Sequence, residues 1–159
     1  MTIHFNEIIS GLFVINLAMA FGAGVYEYRI VMPMWFGSWG IDRMAIEKTD
    51  VGRKFWGMVT TIPLTLLTFV NLYFALRSTG VLHTWWLSAC ILILAERIGT
   101  FSYFIPTILK LVNTEKLTDH RALKKAEQWK QFNKIRIILN MSGLVASVFA
   151  YTLLIEGLK

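Results

Sequence analysis

Four long apolar runs occupy most of this chain, and they constrain its fold more than any other feature. The runs lie at about residues 8–32, 55–76, 85–109 and 135–155. Roughly 20 consecutive apolar residues are enough for a helix to cross the hydrocarbon core of a bilayer. We therefore predict an all-α integral membrane four-helix bundle. Residues 1–159 would form a single membrane domain, with the last helix extended towards the N-terminus from about residue 119.

Basic residues are concentrated in two of the three connections between the runs. The first connection contains four of them and the third contains seven, whereas the opposite side of the bundle has Arg77 and Lys159. The positive-inside rule then places both termini on the non-cytoplasmic side of the membrane. Because this topology explains the formal net charge of +6, we predict no nucleic-acid partner and expect contact with membrane lipid.

Polar residues recur at helical spacing along one face of each run, most clearly in the fourth. There the stripe consists of Trp129, Asn133, Arg136, Asn140, Gly143 and Ser147. A charge in hydrocarbon costs roughly a few kcal/mol or more, so a charged residue in such a run usually faces a partner or a cavity. We therefore expect a polar interior, which is where a functional site should lie.

The alternating direction of the helices brings several of these residues to similar depths in the cytoplasmic half and near the midplane. Two acidic and two arginine residues form a neutral set that can be desolvated together at lower cost than any one alone. The candidate catalytic residues are Glu27, Glu96 and Arg136, and the candidate substrate-binding residues are Arg97, Tyr103, Trp129, Asn133 and Asn140. The alternative is that these groups only fix helix register, through hydrogen bonds worth about 0.6–2 kcal/mol each.

The residue types limit the chemistry of such a site. Carboxylate metal sites in helical bundles usually include a Glu-x-x-His pair, but His4, His83 and His120 lie at the N-terminus or in loops. We therefore predict no metal site, and the residues specify no other cofactor. An arginine and a carboxylate beside a tyrosine can instead bind a planar phenol, quinone or ketone and exchange a proton with it.

Tryptophan is placed near the ends of the runs, which is typical of the aromatic belts at membrane interfaces. We assign five tryptophans to these belts and only Trp129 to the interior. The five are Trp35, Trp39, Trp56, Trp85 and Trp86. Cys90, in the middle of the third run, is interpreted as a small buried apolar residue.

Three short motifs resemble a known family. They are YEYRIVMPMW at Tyr26–Trp35, YFIP at Tyr103–Pro106, and W-x3-N-x2-R-x3-N at Trp129–Asn140. Together they resemble the small four-helix bacterial membrane proteins grouped with anthrone oxygenases. The resemblance implies a bacterial cytoplasmic membrane protein and oxidation of a polycyclic anthrone to a quinone without a conventional cofactor. It also implies that Trp129, Asn133 and Arg136 line the site, joined by Glu27.

Two function classes stay open from the sequence. In the first, a polar intramembrane cavity binds a hydrophobic aromatic or quinone-like molecule, as in an anthrone-oxygenase-like oxidoreductase. Arg136 or Arg97 would then stabilise negative charge on oxygen, while Glu27 or Glu96 would move protons.

In the second class, the protein is a non-enzymatic small carrier or a subunit of a membrane complex. Carriers usually have helices interrupted near the midplane. Only Pro63 lies well inside a run, whereas Pro33 and Pro106 are interpreted as helix-end signals. A homo-oligomer would form through small residues, which are Gly22 and Gly24 or Gly143 and Ala146.

Overall fold

Four long helices form the structure, a computed structural model that describes residues 4–37, 40–49, 52–112 and 120–157. We call them the first to fourth spans: Phe5–Trp35, Phe55–Ala75, Gly80–Val112 and His120–Ile155. Each is long and apolar enough to cross a membrane. Neighbouring spans pack against each other, and the fourth returns to pack against the first. The predicted all-α bundle of membrane type is therefore confirmed.

The regular elements within the spans change type along the chain. The α-helical segments are Phe5–Tyr26, Met32–Trp35, Arg43–Thr49, Ile62–Ala75, Gly80–Gly99, Ile105–Val112 and His120–Ile155. The π-helical segments are Glu27–Val31, Gly52–Thr61 and Thr100–Phe104. One small antiparallel ladder pairs Phe36–Gly37 with Gly40–Ile41. Gly80 opens the third span after a tight turn, and its φ of 65° lies in the left-handed region that favours glycine.

Two apolar clusters hold together the half of the bundle that contains the chain ends. One consists of Phe13, Leu17, Ala20, Leu64, Ala89, Ile93 and Ala146, and the other of Ala75, Leu82, Trp86, Cys90 and Ala150. Gly143 allows the third and fourth spans to approach closely, because a Cβ atom there would lie 2.5 Å from Ile93 Cδ1. Small residues thus serve packing within one chain.

Three of the four residues predicted to lie at a contact between two copies of the chain are buried inside the bundle. Gly24 and Gly143 are buried between helices of the same chain, and Ala146 is 4% exposed. A side chain already enclosed by its own bundle cannot meet a second copy. Only Gly22 among the four named residues is exposed.

At the other end of the bundle, the first connection folds back as a small cap. We use this name for the ladder between Phe36–Gly37 and Gly40–Ile41 together with the helix Arg43–Thr49. Its apolar residues Ile41 and Ile46 are buried against an apolar cluster that includes Trp35, Leu111 and Trp129. The backbone N–H of Ala45 donates to Asp42 Oδ1 at 2.9 Å, which stabilises the start of the short helix. The cap closes the bundle beneath its polar interior.

The three π-helical segments share one cause. Each segment ends two residues before one of the chain's three prolines, which are Pro33, Pro63 and Pro106. A proline has no N–H, and its ring clashes with the carbonyl four residues earlier. Widening the preceding turn to the π form, in which bonds reach five residues back, relieves this clash. The prolines therefore widen the spans instead of ending them.

The second span shows how the bundle pairs a carbonyl affected by proline. Pro63 cannot donate to the Val59 carbonyl, which lies four residues earlier. Asn16 of the first span supplies the missing donor, because its Nδ2 lies 3.0 Å from Val59 O. A polar side chain of one helix thus repairs the irregular backbone of its neighbour.

The tryptophan belts are only partly present. Trp85 is exposed, as expected for an interfacial residue, but Trp35 and Trp86 are 3% and 2% exposed, so their assignment to the belts is wrong. Trp86 is buried because its Nε1 donates to Asn71 Oδ1 at 3.0 Å, which satisfies both polar groups inside the bundle. Trp39 lies outside the described residues.

Candidate functional site

A buried ion pair joins the first and fourth spans near the cap. Arg136 Nη2 lies 2.8 Å from Glu27 Oε2, and both residues are at least nine-tenths buried. Glu27 is the first residue of a π-helical segment, and its second oxygen accepts a bond of 3.0 Å from Trp56 Nε1. Three of the four spans therefore meet at this carboxylate.

Aromatic rings enclose the arginine of this pair. The Cζ atom of Arg136 lies 5.0 Å from the centroid of the Trp56 ring and 5.1 Å from that of Phe104. Both distances are within the range of a cation–π interaction, which strengthens when the cation is desolvated. Arg136 is thus held by a carboxylate and two rings at a position where water has little access.

A second ion pair lies in the third span, between neighbouring residues. Glu96 Oε2 accepts from Nε and Nη2 of Arg97, and Thr100 Oγ1 donates to Glu96 Oε1 at 2.9 Å. Glu96 is 2% exposed and Arg97 is 5% exposed. The four predicted charges are therefore arranged as two neutral pairs, each of which avoids the cost of an isolated buried charge.

One cavity brings the two pairs together. Its volume is about 280 Å³, and it lies between the third and fourth spans. The lining residues are Ala95, Glu96, Gly99, Tyr103, Phe104, Phe132, Ile135, Arg136 and Leu139. Because Ala95, Phe132 and Ile135 are themselves exposed, the cavity opens sideways towards the surface that a membrane would cover. It is an apolar slot with one carboxylate and one guanidinium in its wall.

A larger groove of about 430 Å³ lies between the first and second spans. Its lining is apolar except for Asn16, whose Oδ1 is buried without a hydrogen-bond partner in the described structure. No charged side chain lines it. The cavity that contains Glu96 and Arg136 is therefore the better candidate for a site that does chemistry.

Four of the five predicted substrate-binding residues do not line this cavity, and they are Arg97, Trp129, Asn133 and Asn140. Trp129 donates from Nε1 to Phe104 O at 3.1 Å and packs against the cap end of the first span. Asn133 donates to the Trp129 carbonyl of its own helix at 2.9 Å. Asn140 is 3% exposed and lies one turn beyond Arg136 on the buried face. Of all the predicted site residues, Glu96, Arg136 and Tyr103 line the cavity. Glu27 forms an ion pair with Arg136, and Arg97 forms one with Glu96.

Several buried polar atoms near the two pairs have no hydrogen-bond partner within the described part of the chain. They are Arg97 Nη1, Asn133 Oδ1 and Asn140 Oδ1. Unpaired polar atoms are rare in native interiors. All three belong to the third and fourth spans, the two spans that form the cavity.

One polar contact and two aromatic walls of the site were not predicted from the sequence. Trp56 donates to Glu27, and Phe104 and Phe132 line the cavity. A signal for Trp56 was present, because it precedes Thr60, Leu64 and Thr68 at steps of four on the polar face of the second run. Its position near the end of the run favoured the belt interpretation instead.

The described residues contain no group of three or more histidine, cysteine, aspartate or glutamate side chains placed to hold a metal ion.

Comparisons of the chain with protein-family models, with curated proteins and with solved structures found no match. The geometry of the site is therefore the basis for any functional inference.

Proposed function

We propose that the protein binds a hydrophobic aromatic or quinone-like molecule in the cavity between the third and fourth spans. The observation that carries this proposal is the lining of the cavity, in which three aromatic rings surround one carboxylate and one guanidinium. A volume of about 280 Å³ is near the lower end for ligand sites, which suits a compact ring system. The sideways opening suits a ligand that arrives through the lipid phase.

The side chains in the wall have complementary roles in this proposal. Phe104 and Phe132 offer ring faces and edges to an aromatic body. A guanidinium has five N–H donors, so Arg136 can bind a ligand oxygen while Nη2 keeps its bond to Glu27. Glu96 is the carboxylate available to exchange a proton with that ligand.

We further propose the bacterial cytoplasmic membrane as the location, with both termini on the non-cytoplasmic side. The distribution of basic residues supports this orientation, because eleven lie in or beside the connections at the cap end. The cap and the two ion pairs would then lie in the cytoplasmic half.

The finer proposal is an anthrone-oxygenase-like oxidation, which rests on the resemblance of three motifs. The ring methylene of an anthrone would lose a proton to Glu96, and Arg136 would stabilise the resulting enolate oxygen. Molecular oxygen would then oxidise that carbon. One oxygen atom would become the new carbonyl, and the other would leave as water with the two hydrogens of the methylene. Trp129 and Asn133 would position the fourth span without touching the substrate.

A small carrier is the second candidate, and the π-helical segments are the observation that favours it. Irregular helices near a shared polar site are typical of transporters. Here three of the four spans carry such a segment, each beside a proline. In this case Glu27 and Glu96 would relay protons without oxidising the bound molecule.

Binding can be tested with 2-methyl-1,4-naphthoquinone as the probe and quenching of tryptophan fluorescence as the readout. Ala95→Phe adds a ring to an exposed position in the cavity wall, so it should block binding without overpacking the core. We expect affinity to fall at least about tenfold, as when a ligand group loses its place in an apolar pocket. Ala18→Phe adds the same ring to an exposed position of the first span and is the matched control.

Equal affinity in the Ala95→Phe and Ala18→Phe variants would contradict the proposed cavity. Native mass spectrometry of gently purified protein complements this test by identifying any aromatic molecule that co-purifies. Oxygen consumption with an anthrone then separates the two candidates. An oxygenase consumes oxygen in step with quinone formation, whereas a carrier binds the ring system and leaves it unchanged.

A further inference from the structure

The helix face that lines the cavity continues beyond it as a basic stripe. The fourth span contributes Phe132, Ile135 and Leu139 to the cavity. Counting back from Phe132 along the same face by four and then three residues gives Gln128 and Lys125, with Lys124 beside them. Residues three or four apart share one side of a helix. The apolar wall of the cavity and these lysines therefore lie in line.

Exposure divides this face into two zones. Lys124 and Lys125 are exposed, and so are the apolar side chains of Phe132 and Ile135, at 46% and 52%. The change from charged to apolar exposed residues marks the surface of the membrane. Across residues 120–134 there are five lysine or arginine residues and a single acidic one, Glu127. The segment next to the cavity mouth is thus strongly cationic.

The distance between the two zones matches the structure of a lipid monolayer. Seven residues separate Lys125 from Phe132, which is about 10 Å along a helix. The headgroup layer of a bilayer is roughly 5–8 Å thick on each side. Since a lysine side chain can bend back along its helix towards polar groups, its ammonium reaches that layer.

We propose that an anionic phospholipid is a bound partner of this face. Its phosphate and acidic headgroup contact Lys124 and Lys125, and one acyl chain lies along Phe132 and Ile135 at the open side of the cavity. Charge complementarity selects an anionic lipid, because a zwitterionic headgroup offers the lysines no net attraction. Binding of the lipid does not require the aromatic ligand to be present.

Lipid selectivity provides the test. The full-length protein is reconstituted in nanodiscs with equal amounts of phosphatidylglycerol and phosphatidylcholine, and retained lipids are then counted by native mass spectrometry. We expect several-fold enrichment of phosphatidylglycerol on the unmodified protein. The Lys124→Gln/Lys125→Gln variant should lose this preference and retain the two lipids in nearly equal amounts.

The matched control is Lys130→Gln/Lys134→Gln, which removes the same charge from the same helix away from the stripe. Lys130 pairs with Glu127 at 4.0 Å, and Lys134 is exposed on another side. Equal losses in both variants, or no enrichment on the unmodified protein, would overturn the proposal. Quenching by the naphthoquinone probe in the same variants keeps the two questions separate, because it reports on the cavity and not on the lipid.

Discussion

The two halves of this bundle solve the problem of polar groups in a membrane in opposite ways. In the half that contains the chain ends, the spans are regular α-helices and polar side chains are few. Thr68 and Ser147 bond to carbonyls of their own helices, and Asn71 pairs with Trp86. In the cap half, three spans become π-helical, two ion pairs are buried, and several polar atoms have no partner within the described structure.

The two halves also differ in how closely their side chains pack. The first half contains the closely packed apolar clusters, so it supplies most of the packing that holds the helices together. The cap half contains irregular backbone and incompletely satisfied polar groups, features that native proteins concentrate at functional sites. The close apolar packing and the candidate site thus lie in different halves of the bundle.

The largest effect on stability is expected from breaking the ion pair between the first and fourth spans. Glu27→Gln leaves Arg136 buried without its carboxylate, and loss of one partner of a buried pair typically costs about 3–5 kcal/mol. We expect a loss of this size in the free energy of unfolding, measured by denaturant titration in detergent. Glu156→Gln, the same change at an exposed position near the chain end, should have almost no effect.

The double variant Glu27→Gln/Arg136→Gln makes this test specific. Because it removes both charges, it should be less destabilised than the sum of the two single variants. Additive losses would mean that the pair is not coupled in the membrane, and the contrast between the two halves would lose its main support.

The next effect concerns packing in the half that contains the chain ends. Gly143→Ala places a methyl group against Ile93, at 2.5 Å from Cδ1 and 2.9 Å from Cγ1, so Ile93 must move. Overpacking of this kind costs about 1–3 kcal/mol. Gly22→Ala is the matched control, because nothing lies within 4 Å of its added methyl group.

Combining Gly143→Ala with Ile93→Val should restore part of the lost thermal stability, since the smaller side chain makes room. Binding of the naphthoquinone probe should stay unchanged in Gly143→Ala, in Gly22→Ala and in the double variant Gly143→Ala/Ile93→Val. A packing defect here that weakened probe binding would show that the two halves are not independent.

Periodicity was sufficient to predict the helices and the inward-facing charges. Glu27 and Arg136 follow the polar faces of their runs, and both are buried. It could not predict which acid pairs with which arginine, because a helical pattern defines a face but not its rotation relative to other helices. In the structure, Glu96 pairs with its neighbour Arg97, although Arg136 lines the same cavity.

The irregular features were harder to predict for a different reason. Pro33 and Pro106 follow the usual rule for helix ends, yet both spans continue past them after a π-helical segment. In lipid a helix that stopped there would leave carbonyls unpaired, so widening costs less than termination. The cap was also missed, because Ile41 and Ile46 are isolated apolar residues within a charged connection. Burial of such residues depends on the whole bundle.

The smallest expected effect on stability is also the most informative about the site. Pro106→Ala restores an N–H two residues after the π-helical segment Thr100–Phe104, so this part of the third span can return to an α-helix. Because the π-helical turn already accommodates the proline ring and the substitution adds no charge, we expect the free energy of unfolding to change by less than about 1 kcal/mol.

The same substitution should nevertheless weaken binding of the naphthoquinone probe. Tightening the turn rotates Tyr103 and Phe104 relative to Glu96, and all three line the cavity. Ile105→Ala is the control, since it trims an exposed side chain next to the proline without adding a backbone donor. If Pro106→Ala binds the probe as well as Ile105→Ala does, the π-helical segment is only a response to proline. If binding falls in Pro106→Ala alone, the widened turn is what shapes the site.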